Sequence, residues 1–184
     1  MNRTSRAPAD AAHARGGRRG PARTALAAGV ASGLLGATMA VPFAPLLVWN
    51  ASDSAPVGLY AVAPGMAVHR GDYAIAWLPE RFRRLAARRR YLPFEVPLVK
   101  KVAAEKGARV CASGNRITVK GSPVALRRGR DLRGRLLPRW KGCLVLARGE
   151  VFLLSRNPRS FDSRYFGPVA GKRVVGRAWP LWTR

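Results

Sequence analysis

The sequence predicts a mostly β domain behind a single apolar N-terminal anchor. Three observations carry that expectation. Residues 25–49 contain no charged side chain, and a run of this length is enough for an α-helix to cross the hydrocarbon core of a bilayer. The rest of the chain breaks into short apolar stretches separated by Gly, Pro and Asn turn signals, which is a strand pattern. Finally, 184 residues suit one anchor plus one domain, with enough chain left after the anchor to bury a core.

Taken in order, residues 1–24 hold six Arg against one Asp and almost no large apolar side chains. They read as a disordered basic tail on the cytoplasmic side. The anchor run 25–49 has Pro42 and Pro45 near its end, where a helix stops or kinks, and Trp49 suits the membrane–water interface. The rival reading of the run is a cleaved signal peptide. The domain 50–184 is then extracytoplasmic. Gly58–Val62 reads as a strand closed by Pro64-Gly65, and Val68–Leu78 as another, broken at Gly71-Asp72. Residues 80–90 form either a short helix with Phe82, Leu85 and Ala86 inward or a solvated basic loop. Leu92–Ala104 is a strand region, and Val110 and Ile117–Val119 flank a hairpin turn at Gly114-Asn115. Residues 127–142 read as an irregular Arg-rich insertion. Cys143–Ala147, Glu150–Leu154 and Val174–Ala178 complete the strands.

The formal charge of +25 and a pI near 11.9 favour anionic partners. The arginines are spread over the whole chain, so a coding bias without functional meaning fits them equally well. Two Cys and two His cannot complete a four-ligand zinc site, and no phosphate-binding glycine motif follows a strand. No metal or cofactor is expected. On the outer side a Cys111–Cys143 disulfide is expected. It closes a loop of about 32 residues, worth roughly 3.5 kcal/mol in the chain-entropy model. The alternative is two small buried thiols.

Just after the anchor comes Asn50-Ala51-Ser52-Asp53-Ser54-Ala55-Pro56-Val57-Gly58-Leu59-Tyr60, a constrained turn with exposed hydroxyls. A serine nucleophile needs a base. His69 lies beside Arg70 in a strand-like run and reads as structural. Lys100, in Leu98-Val99-Lys100-Lys101-Val102, shares an apolar strand face with Leu98 and Val102, while Lys101 points away. A lysine serves as base only when neutral, and desolvation on an apolar face is one route to that state. The bland alternative is a pair of surface lysines.

Together with Phe161-Asp162-Ser163-Arg164-Tyr165-Phe166-Gly167, these two segments resemble, in order and spacing, the type I signal peptidases, and most of all their conjugative-transfer, TraF-type branch. The resemblance implies a signal-peptidase-like antiparallel β-sheet domain and a serine endopeptidase. In it Ser54 is the nucleophile, Lys100 the base and Ser52 an oxyanion donor. Asp162 is the acidic residue near the dyad, orienting Lys100 indirectly or a neighbouring Ser, or serving as a structural partner of Arg164. One departure stands out: where the family carries Leu-Pro-Gly-Asp, this chain has Glu105-Lys106-Gly107-Ala108.

The expected partners are a membrane-inserted precursor or pilin and the lipid bilayer, with nucleic acid disfavoured. The expected location is the bacterial inner membrane, single-pass, with a periplasmic catalytic domain. The expected reaction is cleavage of the precursor, with pilin cyclisation as a variant. The competing reading is a membrane-tethered basic nucleic-acid-binding component of a transfer apparatus.

Overall fold

A computed structural model of the chain describes residues 25–26, 28–33 and 46–184. The basic tail and most of the expected anchor lie outside the described residues. Residues 25–26 and 28–33 are helical, and among the described residues no helix is long and apolar enough to cross a membrane. The chain divides into two units, Met1–Phe43 and Ala44–Arg184. The second contains the β domain.

The domain consists of β1 (Leu47–Asn50), β2 (Gly58–Pro64), β3 (Tyr73–Ala76), α1 (Glu80–Arg88), β4 (Leu98–Ala104), β5 (Arg109–Ser113), β6 (Arg116–Val119), β7 (Ser122–Leu126), β8 (Gly142–Val145), β9 (Phe152–Leu154), the single-turn α2 (Ser163–Phe166) and β10 (Val174–Thr183). A six-stranded sheet runs β1-β2-β10-β3-β4-β9, and a four-stranded sheet runs β7-β6-β5-β8. Among the described residues, these strands pair antiparallel throughout.

The domain starts earlier than expected. Leu47, Val48 and Trp49 belong to β1, paired with Ala61, Tyr60 and Leu59. Alternation explains why: Val48 is buried against the core while Leu47 and Trp49 point outward. Residues 47–49 of the expected anchor run are therefore part of the sheet. The long strand expected over Val68–Leu78 shortens to β3, because residues 67–72 turn and the Asp72 carboxylate accepts from the His69 N–H. Residues 80–88 are helical, with Phe82 and Ala86 buried and Leu85 half-buried. The region Leu92–Ala104 is strand only from Leu98. The closing strand runs on to Thr183.

At its Leu98–Lys100 end β4 is covered on both faces. Leu98 and Val102 pack into a cluster with Phe82, Leu153, Phe166 and Val169. Val99 packs on the other side with Tyr60, Val62 and Ile75. A strand so enclosed has few exposed positions, so a polar residue on it is strongly desolvated.

Candidate active site

The segment 51–57 leaves β1 and returns as β2, and Asn50 organises it. Its Nδ2 donates to the carbonyl oxygens of Ser52 (2.9 Å), Ala55 (3.0 Å) and Pro56 (3.0 Å). Its Oδ1 accepts from the Ser52 N–H (3.4 Å) and the Ser52 hydroxyl (3.1 Å). One buried amide thus saturates a turn that has no ladder of its own. Tyr60, fully buried, donates to the Pro56 carbonyl at 2.8 Å and fixes the far end. Gly58 follows at φ 153°; a Cβ there would run into the Trp182 carbonyl oxygen of β10.

The turn presents Ser54. Its Oγ lies 2.8 Å from the Ser52 Oγ and donates to the Val99 carbonyl at 3.3 Å. Val99 precedes Lys100 on β4, so the serine sits against the strand that carries the lysine. Ser52, Ser54, Val99 and Lys100 line one cavity of about 870 Å³.

Lys100 is 5 % exposed, whereas Lys101 faces solvent. Its Nζ donates to the Ser160 Oγ at 2.6 Å, and Ser160 is itself buried. Burial pushes the ammonium down from 10.5 to about 8; the Asp162 carboxylate opposes this, and the Arg164 guanidinium adds to it. Ser54 and Lys100 share no hydrogen bond in this arrangement.

Asp162 is fully buried and caps α2, accepting from the Arg164 N–H. Its carboxylate takes a bidentate pair from Arg164, Nε to Oδ1 at 2.7 Å and Nη2 to Oδ2 at 2.9 Å. Oδ2 also accepts from the Ser155 N–H. Burial pushes the carboxyl up, while Arg164, Lys100 and the Ser155 amide pull against that. Arg164 in turn donates to the Ser155 carbonyl at 2.8 Å. The pair therefore holds the loop 155–164 closed, and the loop carries Ser160. Asp162 makes no hydrogen bond to Lys100 or Ser54. Its partner is Arg164, the structural option left open by the sequence.

Two residues of this arrangement escaped the sequence reading. Ser160 sits one position before the Phe161-Asp162 segment, and a hydroxyl two residues ahead of an acidic residue is its one sequence signal. Asn50 was quoted only as part of a motif, yet a polar side chain ending an apolar run marks a residue that must satisfy backbone groups. His69 lies elsewhere: its Nδ1 pairs with Glu105 Oε2 at 3.0 Å, and Glu105 Oε1 accepts from the Arg70 N–H. Glu105 thus ties the turn that departs from the family pattern to the 67–72 loop, and Gly107, at φ 80°, closes that turn. Cys111 and Cys143 are bonded across β5 and β8, where they are directly paired. Among the described residues no group of His, Cys, Asp and Glu could hold a metal.

Residues 22–182 match the family model "Signal peptidase, peptidase S26". The chain is 34 % identical over 144 residues to the conjugal transfer protein TraF of Agrobacterium fabrum, covering 73 % of this chain and 81 % of that one. It is 32 % identical over 147 residues to the plasmid transfer protein TraF of Escherichia coli, with the same coverages. Among solved structures it is similar to a signal peptidase I from Enterococcus faecalis, at 20 % identity and a TM-score of 0.35, over 60 % of this chain and 96 % of that one. With the family model spanning nearly the whole chain and two relatives above 30 % identity, this protein belongs to the signal peptidase family, peptidase S26, and within it to the TraF-like proteins.

Proposed function

We propose that this protein is a membrane-attached serine endopeptidase that matures a precursor protein for conjugative transfer. The observation that carries this is the pairing of an accessible serine with a buried, desolvated lysine on the walls of one cleft. Membership of a peptidase family and likeness to proteins named for conjugal and plasmid transfer give the reaction class and the setting.

In this reading neutral Lys100 takes the Ser54 proton as Oγ bonds to the scissile carbonyl carbon. The hydroxyl of Ser52 turns from Asn50 Oδ1 toward the oxyanion, joined by the Ser54 N–H. Collapse breaks the C–N bond, and the departing amine receives the proton from Lys100. Water, deprotonated by the same lysine, then releases the acyl group; an incoming amine would instead close a peptide bond and give a cyclic product. Ser160 holds Nζ from the other side, and Asp162 with Arg164 positions Ser160 without touching reacting atoms.

Attachment to the bilayer is supported by the β1/β10 end of the sheet. There Leu47, Trp49, Leu181 and Trp182 are exposed, and Trp49 stacks on Trp182 at 5.7 Å. Indole rings suit the headgroup region. The Cys111–Cys143 bond supports an extracytoplasmic domain.

The test is co-expression with a candidate precursor in an inner-membrane setting. Ser54→Ala and Lys100→Ala each abolish processing, while His69→Ala retains it. The product mass, one water lighter or not, separates ring closure from hydrolysis. An active Lys100→Ala enzyme would overturn the Ser/Lys assignment.

A further inference from the structure

The cavity that holds Ser54 and Lys100 is lined by seven arginines against two aspartates, Asp53 and Asp131. Three of the arginines are occupied. Arg135 pairs with Asp131 at 2.7 Å, Arg89 donates to the Leu136 carbonyl at 2.8 Å, and Arg130 to the Gly134 carbonyl at 2.6 Å. The other four, Arg90, Arg128, Arg133 and Arg159, are exposed. Among the described residues their guanidinium groups donate no hydrogen bond and form no salt bridge. They come from three separate segments that converge on one cleft.

Like charges gathered in this way repel one another, and a concave wall focuses their field more than a flat surface does. Asp131 is taken by Arg135 and Asp53 is the one other carboxylate on the walls, so most of the counter-charge must arrive with the occupant. Planar guanidinium groups bind carboxylates in bidentate fashion. The cleft is also part apolar, with Val96, Pro97, Leu132, Leu137 and Phe161 among its walls. That mixture suits a peptide backbone with a few acidic side chains better than a uniformly charged phosphate polymer.

Resting on the peptidase reading of the same cleft, we propose that this enzyme selects precursors with acidic side chains within a few residues of the scissile bond, and that Arg90, Arg128, Arg133 and Arg159 read them. These are specificity residues. They lie on the walls and take no part in the proton transfer.

The test uses the full-length protein in detergent with three amidated peptides sharing one small-residue cleavage site. One carries two Glu beside that site, one carries Gln in their place, and one carries the two Glu far along the peptide. Wild-type kcat/KM is expected to favour the first over both others by about tenfold, and the preference to shrink as salt rises from about 0.05 to about 0.5 M. Arg128→Gln/Arg133→Gln lowers the preference, read as the ratio of kcat/KM for the Glu and Gln peptides, and Arg128→Glu/Arg133→Glu abolishes it. Fluorescence anisotropy on the Ser54→Ala variant reads the same preference in binding, without any cleavage. Cleavage of all three peptides at equal efficiency overturns the specificity and leaves the peptidase reading standing. Preferential binding without cleavage by wild type supports the acidic-peptide cleft and overturns the peptidase reading. Equal preference for the peptide with distant charges shows attraction by net charge alone and overturns the proposal. So does a single-stranded oligonucleotide that binds as tightly and loses affinity equally in the Arg→Glu variant.

Discussion

Two loops line the same cleft, each built around an aspartate paired with an arginine, and burial makes them different devices. In 155–164, the Asp162 and Arg164 side chains are 0 % and 3 % exposed. In 128–137, Asp131 and Arg135 are 8 % and 32 % exposed. Asp131 accepts from the Tyr91 hydroxyl, from the N–H groups of Arg133 and Arg135, and from Arg135 Nε. Burial alone would raise its carboxyl, but these hydrogen bonds hold it well below the usual carboxylate range. The first loop is locked by a charge pair that cannot reach water, and it fixes the lysine through Ser160. The second is a surface loop knotted by its own aspartate, and it displays arginines. The lesson is that one residue pairing serves rigidity in the interior and presentation at the surface.

The largest expected effect comes from breaking the inner pair. Arg164→Ala strands a buried carboxylate and should cost about 3–5 kcal/mol, read as a lowered urea midpoint. A cost below about 1 kcal/mol would mean that the inner pair is no stronger than an exposed one.

Next comes Lys100 under that loop. Its folded pKa, about 8, lies below the unfolded value of 10.5. The unfolded chain therefore binds the proton more tightly, and the penalty is fully present below pH 8 and fades between about 8 and 10.5. Holding the ammonium in the core costs on the order of 3 kcal/mol at neutral pH. Lys100→Met removes that cost but orphans the Ser160 hydroxyl, at about 1 kcal/mol. The variant should be inactive yet about 2 kcal/mol more stable at pH 7; its advantage should vanish at about pH 10, where the fading penalty falls to about 1 kcal/mol, and reverse above that. In the wild type, kcat/KM should rise about tenfold per pH unit up to pH 8 and then level off. A flat profile from pH 6 to 9 would remove the lysine from the role of base.

The smallest effect belongs to the outer loop. Asp131→Asn should speed limited proteolysis within 128–137 and raise KM a few-fold while kcat holds. Since the folded carboxyl titrates below the usual range, its grip is present above about pH 4 and lost only as pH falls further. Wild-type protease resistance there should not change between about pH 5 and 9.

How much of this was legible in the sequence follows from the range of each interaction. The serine turn and the lysine strand could be read because each is a local pattern, the Asp162 segment was legible through the family resemblance, and the β-hairpin at Gly114-Asn115 follows from turn chemistry. Alternation along 98–102 already separated Lys100 from Lys101. The residues could not reveal that Asn50 bonds three carbonyls or that β1 begins inside the apolar run. Both depend on where β2 folds back against β1. Ser160 was invisible for the same reason: its partner lies sixty residues away.

By itself, the sequence determined a basic, strand-rich chain with a serine-bearing turn and a lysine on an apolar strand face, because period-2 burial and turn residues act over a few neighbours. Tertiary structure alone decided that the lysine is enclosed on a doubly covered strand, that Arg164 satisfies Asp162, and that arginines from three segments meet in one cleft. Desolvation and convergence are properties of packing between distant segments, and no local pattern encodes them.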